Sequence, residues 1–253
     1  MIRSAIRSYC YRHREVIHTR RNGRDKLYVC DNSVLKEFIT SLPGYRHEYD
    51  VLIKLNHPSI ICVSDHFYEK DKFYMVMPFH RKGDIWQKIR DSNPNHLDLL
   101  MITRSLAKPI AHIHQRDLVH LDVKLENYVE GDSDNYIMID FEHARWFRKN
   151  YYDLESINQI VGTTPYMAPE IRTLQYGPTS DVYSLGRVLY TIIARRHPDV
   201  TDIDWSPVRA KAPDLEEIVV AMLQPNHLMR PTVFDILRDV NSLIYRCPEN
   251  ILV

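Results

Sequence analysis

Residues 120–127, HLDVKLEN, place three different kinds of polar side chain on one short stretch of chain. Asp122 supplies a carboxylate, Lys124 an ammonium group and Asn127 an amide oxygen. A phosphoryl group can move when a carboxylate holds the acceptor hydroxyl, a cation meets the phosphate and oxygen ligands hold a magnesium ion. This catalytic loop therefore indicates phosphate chemistry and restricts the chain to folds that can present such a loop.

Four further blocks lie downstream of the catalytic loop. In chain order they are DFE at 140–142, GTTPYMAPE at 162–170, DVYSLG at 181–186 and RPT at 230–232. Together with residues 120–127 they resemble the catalytic domain of the eukaryotic-type protein kinases, serine/threonine branch. The resemblance covers roughly residues 26–240.

The resemblance implies an α+β fold with two lobes. Residues 1–79 would form a small antiparallel β lobe with one main helix, and residues 80–253 a larger, mostly helical lobe. Apolar residues at helical spacing between 182 and 193 predict a buried central helix in the large lobe. Three family residues would be structural: Asp181 bonds the backbone of the catalytic loop, and Glu170 pairs with Arg230.

The composition argues against several other classes of protein. The chain has 253 residues, with 33 Lys and Arg against 33 Asp and Glu. Balanced charge makes a nucleic-acid partner unexpected, and no apolar run approaches the roughly 18 residues of a membrane span. The four cysteines show no metal-ligand spacing. We therefore expect an intracellular protein of the cytoplasm or nucleus, without a transmembrane segment; the sequence predicts no oligomeric state.

In the small lobe, residues 26–30 and 34–39 have the β-branched and aromatic content of strands. Lys36 lies in the second strand and resembles the family's lysine that orients the α- and β-phosphates of ATP. Glu48, on a following helix whose apolar stripe extends to Leu55, resembles the carboxylate that holds this lysine. The alternative is that both residues are ordinary surface charges.

The small lobe departs from the family where the nucleotide phosphates would be covered. Gly23 is the single glycine of the first 43 residues, so the family's glycine-rich loop is degenerate. Side chains at those positions would hold the backbone N–H groups away from the phosphates. An Asn22-Gly23 hairpin turn is predicted instead. Three arginines lie beside this turn, Arg20, Arg21 and Arg24. In one interpretation they supply the positive charge that the glycine amides would have supplied. In the other they are solvated, and the chain binds nucleotide more weakly.

Residues 73–80 resemble the strand and hinge that bind adenine. Met77 would lie at the back of the adenine pocket, and the main chain at Pro78 and His80 would bond the base. Proline is tolerated at position 78 because only its carbonyl oxygen would act. Asp84 would meet the ribose hydroxyls or a basic substrate side chain, or else cap the following helix.

The resemblance also assigns roles to the polar residues of the large lobe. Asp122 would orient the attacking hydroxyl, and Lys124 would steady the γ-phosphate. Asn127 and Asp140 would hold magnesium ions, with Mn²⁺ as an alternative metal. The implied cofactors are ATP and Mg²⁺, and positioning with charge neutralisation would supply most of the catalysis.

Two substitutions bear on regulation of the activation segment, residues 140–170. Leu121 stands where many family members have an arginine that pairs with a phosphate on this segment. Glu142 replaces the glycine of Asp-Phe-Gly, and a side chain there restricts the backbone. We therefore expect activity that does not depend on phosphorylation of the segment's hydroxyl residues Ser156, Thr163 and Thr164.

The leading interpretation is ATP-dependent transfer of the γ-phosphate to serine or threonine hydroxyls of proteins. The partner would be a protein substrate with basic residues near the acceptor, because Glu126 resembles an acidic position that reads an arginine upstream of the acceptor in some members of the family. The degenerate glycine-rich loop, Leu121 and Glu142 favour an alternative, a pseudokinase scaffold that binds partners with little or no phosphotransfer. A third interpretation, a small-molecule phosphotransferase, fits less well because residues 162–170 resemble a platform for peptides.

Overall fold

The computed structural model describes residues 15–19, 26–131, 135–196 and 203–247. The chain divides into two compact units, Met1–Arg81 and Lys82–Val253; the expected division lay after residue 79. The predicted Asn22-Gly23 turn and the three arginines beside it fall outside the described residues.

The small unit is built on a five-stranded antiparallel sheet with the strand order β1-β2-β3-β5-β4. The strands are β1 Glu15–Thr19, β2 Lys26–Cys30, β3 Ser33–Ile39, β4 Asp65–Glu69 and β5 Lys72–Pro78. The observed β2 and β3 agree with the predicted strands to within one residue. Asp31, in the turn between them, adopts a left-handed φ of 53°, a conformation that aspartate tolerates in turns.

One face of this sheet packs against helix α1, His47–Leu52. The ring of Tyr49 meets those of His66 and Phe73 at centroid distances of 4.8 and 5.2 Å. The helix ends before Leu55, which the apolar pattern had included. The reason is a tighter last turn, in which the Leu55 amide bonds the carbonyl three residues back rather than four.

The other face of the sheet holds a buried polar cluster around Glu37. Glu37 is only 2 % exposed, and strand alternation points it away from the face that carries Lys36. The hydroxyls of Tyr28 and Tyr74 donate to Glu37 Oε2 at 2.9 and 2.8 Å, and Lys72 Nζ donates to Oε1 at 2.8 Å. The sheet tolerates a buried carboxylate because both of its oxygens have partners.

The large unit is mostly helical. The helices of its described residues are α2 Ile85–Asp91, α3 His96–His114, α4 Pro178–Ala194, α5 Ser206–Lys211, α6 Pro213–Met222 and α7 Val233–Arg246. Short antiparallel strand pairs accompany them: β6 Leu118–Val119 with β9 Arg145–Trp146, β7 Tyr128–Glu130 with β8 Tyr136–Met138, and β10 Glu155–Ser156 with β11 Gln175–Tyr176.

Helix α4 forms the centre of the large unit's core. It is the buried helix predicted from residues 182–193, and it begins earlier, at Pro178, where proline suits the first helical position. Gly186 lets α4 approach α6 closely, because a Cβ at this position would lie 2.9 Å from Met222 Cβ. Any larger residue here would push the two helices apart.

Side-chain caps determine where α3 begins. Asn95 Oδ1 accepts from the Asp98 amide at 2.8 Å, and Asp98 Oδ2 accepts from the Asn95 amide at 2.9 Å. This reciprocal pair satisfies two amides that the helix itself leaves unpaired. The start of α3 is thus set by local sequence, and its other end leads into the catalytic loop.

The antiparallel sheet of the small unit and the helices of the large unit confirm the predicted α+β class, with a β-rich small unit and a mostly helical large unit. Strands dominate before residue 79, and the long helices follow it, as the sequence predicted. Among the helices of the described residues, none combines the length and apolar character that a membrane span requires.

Candidate active site

In the small unit, β3 and α1 bring Lys36 and Glu48 together. Lys36 Nζ lies 2.5 Å from Glu48 Oε2, and the two residues are 5 % and 3 % exposed. Lys36 reaches the helix because it lies on the α1 face of the sheet, in register with Met75 of β5. Both residues are buried, so the alternative of two ordinary surface charges does not hold.

The residues predicted to bind adenine lie at the end of β5. Met77 is buried and pairs with β3, and Pro78 is the last residue of the strand. His80 follows the strand and is half-buried. The Phe79 amide donates to the Asn32 carbonyl at 2.8 Å, which ties this segment to the β2–β3 turn. Their role toward adenine stays a prediction.

Asp84 lies in the large unit, where it caps α2. Its Oδ1 accepts a hydrogen bond from the Gln87 amide at 2.9 Å, and its backbone is extended, as an N-cap residue requires. The capping interpretation is thus confirmed. The role of Asp84 toward a ribose or a basic substrate side chain stays a prediction, and it would have to use the other carboxylate oxygen.

The central helix holds the catalytic loop in place. Asp181, in the first turn of α4, is fully buried, and its carboxylate accepts the amides of His120 and Leu121 at 2.8 Å each. Leu121 has a left-handed φ of 65°, which a leucine adopts only when its surroundings impose it. The predicted bond from Asp181 to the loop backbone is confirmed, and it positions the residue before Asp122.

Asp122 is the centre of a hydrogen-bonded group. Thr163 Oγ1 donates to Asp122 Oδ1 at 2.7 Å, while Lys124 Nζ and Asn127 Nδ2 donate to Oδ2 at 2.7 and 3.0 Å. Lys124 Nζ also donates to Thr163 Oγ1 at 3.0 Å. Asp122 is 5 % exposed, so these partners rather than water orient the carboxylate. The structure therefore brings three of the predicted site residues together and adds Thr163.

Asn127 and Asp140 carry the oxygens predicted to hold magnesium. Asn127 Nδ2 donates to the carbonyl and the carboxylate of Asp122, so the other arm of the amide, Oδ1, is the atom that could ligate a cation. Asp140 is half-buried and has a left-handed φ of 62°. Carboxylate and amide oxygens are the hard donors that Mg²⁺ and Mn²⁺ prefer, so this donor set fits the implied metal.

The protein supplies only part of a metal's coordination shell. The described residues contain no group of three or more His, Cys, Asp or Glu side chains that could hold a metal ion. Magnesium is usually bound by one or two protein oxygens together with water and substrate phosphates. Asn127 and Asp140 match that pattern of a few protein donors.

His143 is subject to the charges of the Asp122 and Asp140 carboxylates. Burial lowers the pKa of His143 below its ordinary value of 6.5, against the raising effect of the nearby Asp122 and Asp140 charges. The imidazole is therefore neutral at pH 7. A neutral His143 adds no positive charge beside the two carboxylates, so Lys124, whose Nζ lies 2.7 Å from Asp122 Oδ2, is the cation that pairs with Asp122.

The predicted ion pair at the end of the activation segment is present. Arg230 Nη1 and Nη2 donate to Glu170 Oε1 and Oε2 at 2.7 and 2.9 Å, a bidentate pair. Burial alone would raise the pKa of Glu170. The hydrogen bonds and charge of Arg230, with a further bond from Ser180, outweigh burial, and the pKa is lowered.

The sequence prediction missed two side chains of α4 that hold the same segment. Ser184 Oγ donates to the Tyr166 carbonyl at 2.9 Å, and Arg187 Nε donates to the Pro165 carbonyl at 3.0 Å. Both are buried polar residues within the otherwise apolar run 182–193. That contrast was the available signal, because a buried polar side chain needs a hydrogen-bond partner.

Comparison with known proteins agrees with this arrangement of residues. The sequence model of one family, described as the protein kinase domain, matches residues 15–247. The calcium/calmodulin-dependent protein kinase cmkA of Emericella nidulans is 29% identical over 208 residues, which cover 73% of this chain and 49% of that protein.

Two further similar proteins come from plants. The serine/threonine-protein kinase AtPK1/AtPK6 of Arabidopsis thaliana is 31% identical over 154 residues, 60% of this chain and 32% of that protein. The calcium-dependent protein kinase 8 of Oryza sativa subsp. japonica is 26% identical over 232 residues, 83% of this chain and 42% of that protein. The chain spans about half or less of the length of these curated relatives.

Proposed function

Since this chain belongs to the protein kinase family, we propose that it transfers the γ-phosphate of ATP to serine or threonine hydroxyls of protein substrates. The observation that carries the proposal is the group around Asp122, in which Lys124, Asn127 and Thr163 all bond one buried carboxylate. Such a group can orient an acceptor hydroxyl with a cation beside it, which is what phosphoryl transfer needs.

Each candidate site residue of the catalytic loop, and Asp140, has a role in this proposal. Asp122 orients the attacking hydroxyl and accepts its proton; the bond from Thr163 identifies Oδ1 as an oxygen that accepts from a hydroxyl. Lys124 steadies the γ-phosphate. Asn127 and Asp140 hold Mg²⁺, which when bound neutralises phosphate charge.

In the small unit, the buried pair Lys36 and Glu48 supports nucleotide binding. Glu48 fixes the ammonium group of Lys36 in one orientation, so the lysine can align the α- and β-phosphates without first being ordered. The main chain at Pro78 and His80, with Met77 behind it, binds adenine in this proposal. Gly23 is the single glycine before residue 44, so the chain lacks the family's full glycine-rich loop, which predicts weaker nucleotide binding than in family members that have the loop.

The substrate in this proposal carries basic residues near the acceptor. Glu126 supports this preference, because it is exposed on the short helix Leu125–Asn127, next to Asn127 of the catalytic loop.

We also propose an intracellular setting, cytoplasm or nucleus. The support is that the cysteines of the described residues are all free: Cys30, Cys62 and Cys247.

The test is phosphate transfer from labelled ATP with magnesium to a mixture of basic proteins. Wild type is compared with Asp122→Asn and with Asp117→Asn as the matched control. Asp117 is exposed and has a φ of 54°, which asparagine also accepts. We expect transfer by wild type and Asp117→Asn, and a loss of about 100-fold or more in Asp122→Asn, the lower range for a general base.

Absence of transfer from folded wild type, across basic, acidic and neutral substrates, would overturn the proposal. Nucleotide binding measured by calorimetry with and without magnesium would then separate a nucleotide-binding scaffold from one that binds only proteins. The degenerate glycine-rich loop, Leu121 and Glu142 are the features that favour such a scaffold.

A further inference from the structure

The activation segment contains two adjacent tyrosines with opposite surroundings. The ring of Tyr151 packs edge-on against His114, with centroids 5.6 Å apart, and lies 6.3 Å from the ring of Phe234. The ring of Tyr152 meets that of Tyr151 edge-on, with centroids 5.5 Å apart, and Tyr152 is 37 % exposed. The two residues therefore offer the same chemistry in a half-buried and an exposed position of one segment.

The hydroxyl of Tyr151 takes part in a chain of hydrogen bonds whose direction can be assigned. The Val233 amide lies 3.1 Å from Tyr151 Oη, and His114 Nδ1 lies 3.1 Å from the same oxygen. The Asp181 carboxylate can only accept, so His114 Nε2 carries a proton, and Nδ1 of a neutral imidazole is then an acceptor. Tyr151 Oη therefore accepts from the Val233 amide and donates its own proton to His114 Nδ1.

The protonated Nε2 of His114 continues the chain to the catalytic loop. It lies 3.0 Å from Asp181 Oδ2, and the side chains of both residues are fully buried. Asp181 in turn accepts the amides of His120 and Leu121, directly before Asp122. Because water does not reach His114 or Asp181, each of these bonds depends on its protein partner.

We propose that Tyr151 is a positioning residue for phosphotransfer, linking the activation segment to the catalytic loop through a relay of Tyr151, His114 and Asp181. The inference rests on the proposed function, because the relay acts through Asp122. In a chain with Leu121 in place of an arginine, the relay makes the link that a phosphate on the segment would otherwise make.

The surroundings of Tyr151 keep its hydroxyl in the donor form. Burial raises the pKa of Tyr151 well above its ordinary value, the charge of Asp181 acts in the same direction, and the hydrogen bond from the Val233 amide opposes them only in part. The phenol therefore stays protonated at neutral pH and can supply the proton that His114 Nδ1 accepts.

The first test compares Tyr151→Phe with Tyr152→Phe as the matched control. Each change removes one hydroxyl from the same segment and keeps the ring. We expect kcat for phosphate transfer to fall about tenfold or more in Tyr151→Phe, with the KM for ATP within about twofold of wild type, since tenfold is roughly 1.4 kcal/mol of transition-state stabilisation. Tyr152→Phe should match wild type in both constants.

A second measurement follows the relay without phosphotransfer. Nitrogen-15 NMR of wild type should show His114 protonated at Nε2 and accepting at Nδ1. In Tyr151→Phe the Nδ1 signal should lose its hydrogen-bond shift, and hydrogen exchange at the His120 and Leu121 amides should quicken. Tyr152→Phe should change neither readout.

The two measurements separate failure of the relay from failure of the proposed function. If wild type transfers no phosphate, the proposed function is wrong. The NMR and exchange data then still show whether the hydrogen bonds of the relay are present. Equal kcat in the two phenylalanine variants, or a wild-type His114 with its proton on Nδ1, would overturn the relay. If Tyr151→Phe does not fold, the wild-type tautomer still tests it.

Discussion

At the scale of single residues, backbone conformation is as important to the candidate site as side-chain chemistry. Leu121 and Asp140 adopt left-handed φ values of 65° and 62°, and Gly162 has a φ of 89°. Non-glycine residues keep such conformations only where their surroundings enforce them, and Asp181 does so for Leu121. Gly162 adds a close approach, because a Cβ there would lie 2.5 Å from the Leu121 carbonyl oxygen.

We therefore predict that Gly162→Ala displaces the catalytic loop. A shift of about 1 Å in a catalytic group can cost roughly 100-fold in rate, so kcat for phosphate transfer should fall by about that factor. Gly44→Ala is the control, because Gly44 has a similar φ of 72° but open space around its Cβ position. An equal loss of activity in both variants would show that backbone strain, and not the close approach, limits position 162.

At the scale of elements, apolar packing holds the activation segment. Leu121 is 6 % exposed and belongs to a buried cluster with four residues of the segment, Phe147, Ile157, Val161 and Ala168. An arginine at position 121 would have required an anionic partner there, whereas leucine requires only apolar neighbours. The segment is thus held by contacts that need no modification.

A carboxylate within the segment adds a polar attachment. Glu155 Oε1 accepts from the Arg148 amide at 2.6 Å, and Oε2 accepts from the Tyr176 hydroxyl at 3.0 Å. Burial, and then the bond and charge of Glu155, raise the pKa of Tyr176 to about 12. Tyr176 therefore stays protonated at neutral pH and donates its hydrogen bond to Glu155, which ties β11 to the segment.

These contacts predict that activity is independent of phosphorylation. Phosphatase treatment should leave the rate of phosphate transfer unchanged, and Thr164→Ala, at an exposed neighbouring position, should do the same. Thr163→Ala should lower kcat by about tenfold or more, because it removes the hydroxyl that bonds both Asp122 and Lys124. Loss of activity after phosphatase treatment would contradict the prediction. Equal rates for Thr163→Ala and Thr164→Ala would show that the Thr163 hydroxyl does not support phosphate transfer.

At the scale of the whole molecule, both units depend on buried or half-buried carboxylates with lowered pKa. They are Glu37 in the small unit and Glu130 and Glu170 in the large unit. Burial would raise the pKa of each, but hydrogen bonds and charges outweigh it: from Lys72 and two tyrosines on Glu37, from Lys88 and Lys82 on Glu130, and from Arg230 on Glu170. These groups are stabilised as anions in the folded state.

The direction of these shifts predicts acid sensitivity. A carboxylate with a lowered folded pKa contributes its full stability above its unfolded pKa, here 4.5, and loses it as the pH falls through the lower folded value. The free energy of unfolding should therefore fall as the pH drops below about 4.5. Urea unfolding followed by circular dichroism between about pH 3 and 7 measures this.

Glu170→Gln provides the matched variant for the acid experiment. It removes one of the shifted carboxylates, so the large unit should be less stable at pH 7 and lose less stability on acidification than wild type does. A free energy of unfolding that stays constant or rises below pH 4.5 in wild type would contradict the assignment of these carboxylates.

The sequence predicted most accurately the features whose signal is local or carried by a motif. Strands at 26–30 and 34–39, and the helix around 182–193, follow from residue periodicity, and each lies where it was predicted. The pair Glu170–Arg230 was predicted from the family resemblance rather than from spacing. Helix α1 was predicted too long, because the pattern of apolar residues does not reveal where a last turn tightens.

The sequence by itself therefore determined the fold class, the family and the residue types of the candidate site, since strand and helix periods and short motifs extend over a few neighbouring positions. Only the tertiary structure identified the partners of buried polar groups that no motif pairs. His114 bonds Tyr151, 37 residues away, and Asp181, 67 residues away. Such bonds depend on how segments distant in sequence pack together. A buried donor bonds whichever acceptor that packing brings within reach, so no spacing along the chain identifies the acceptor.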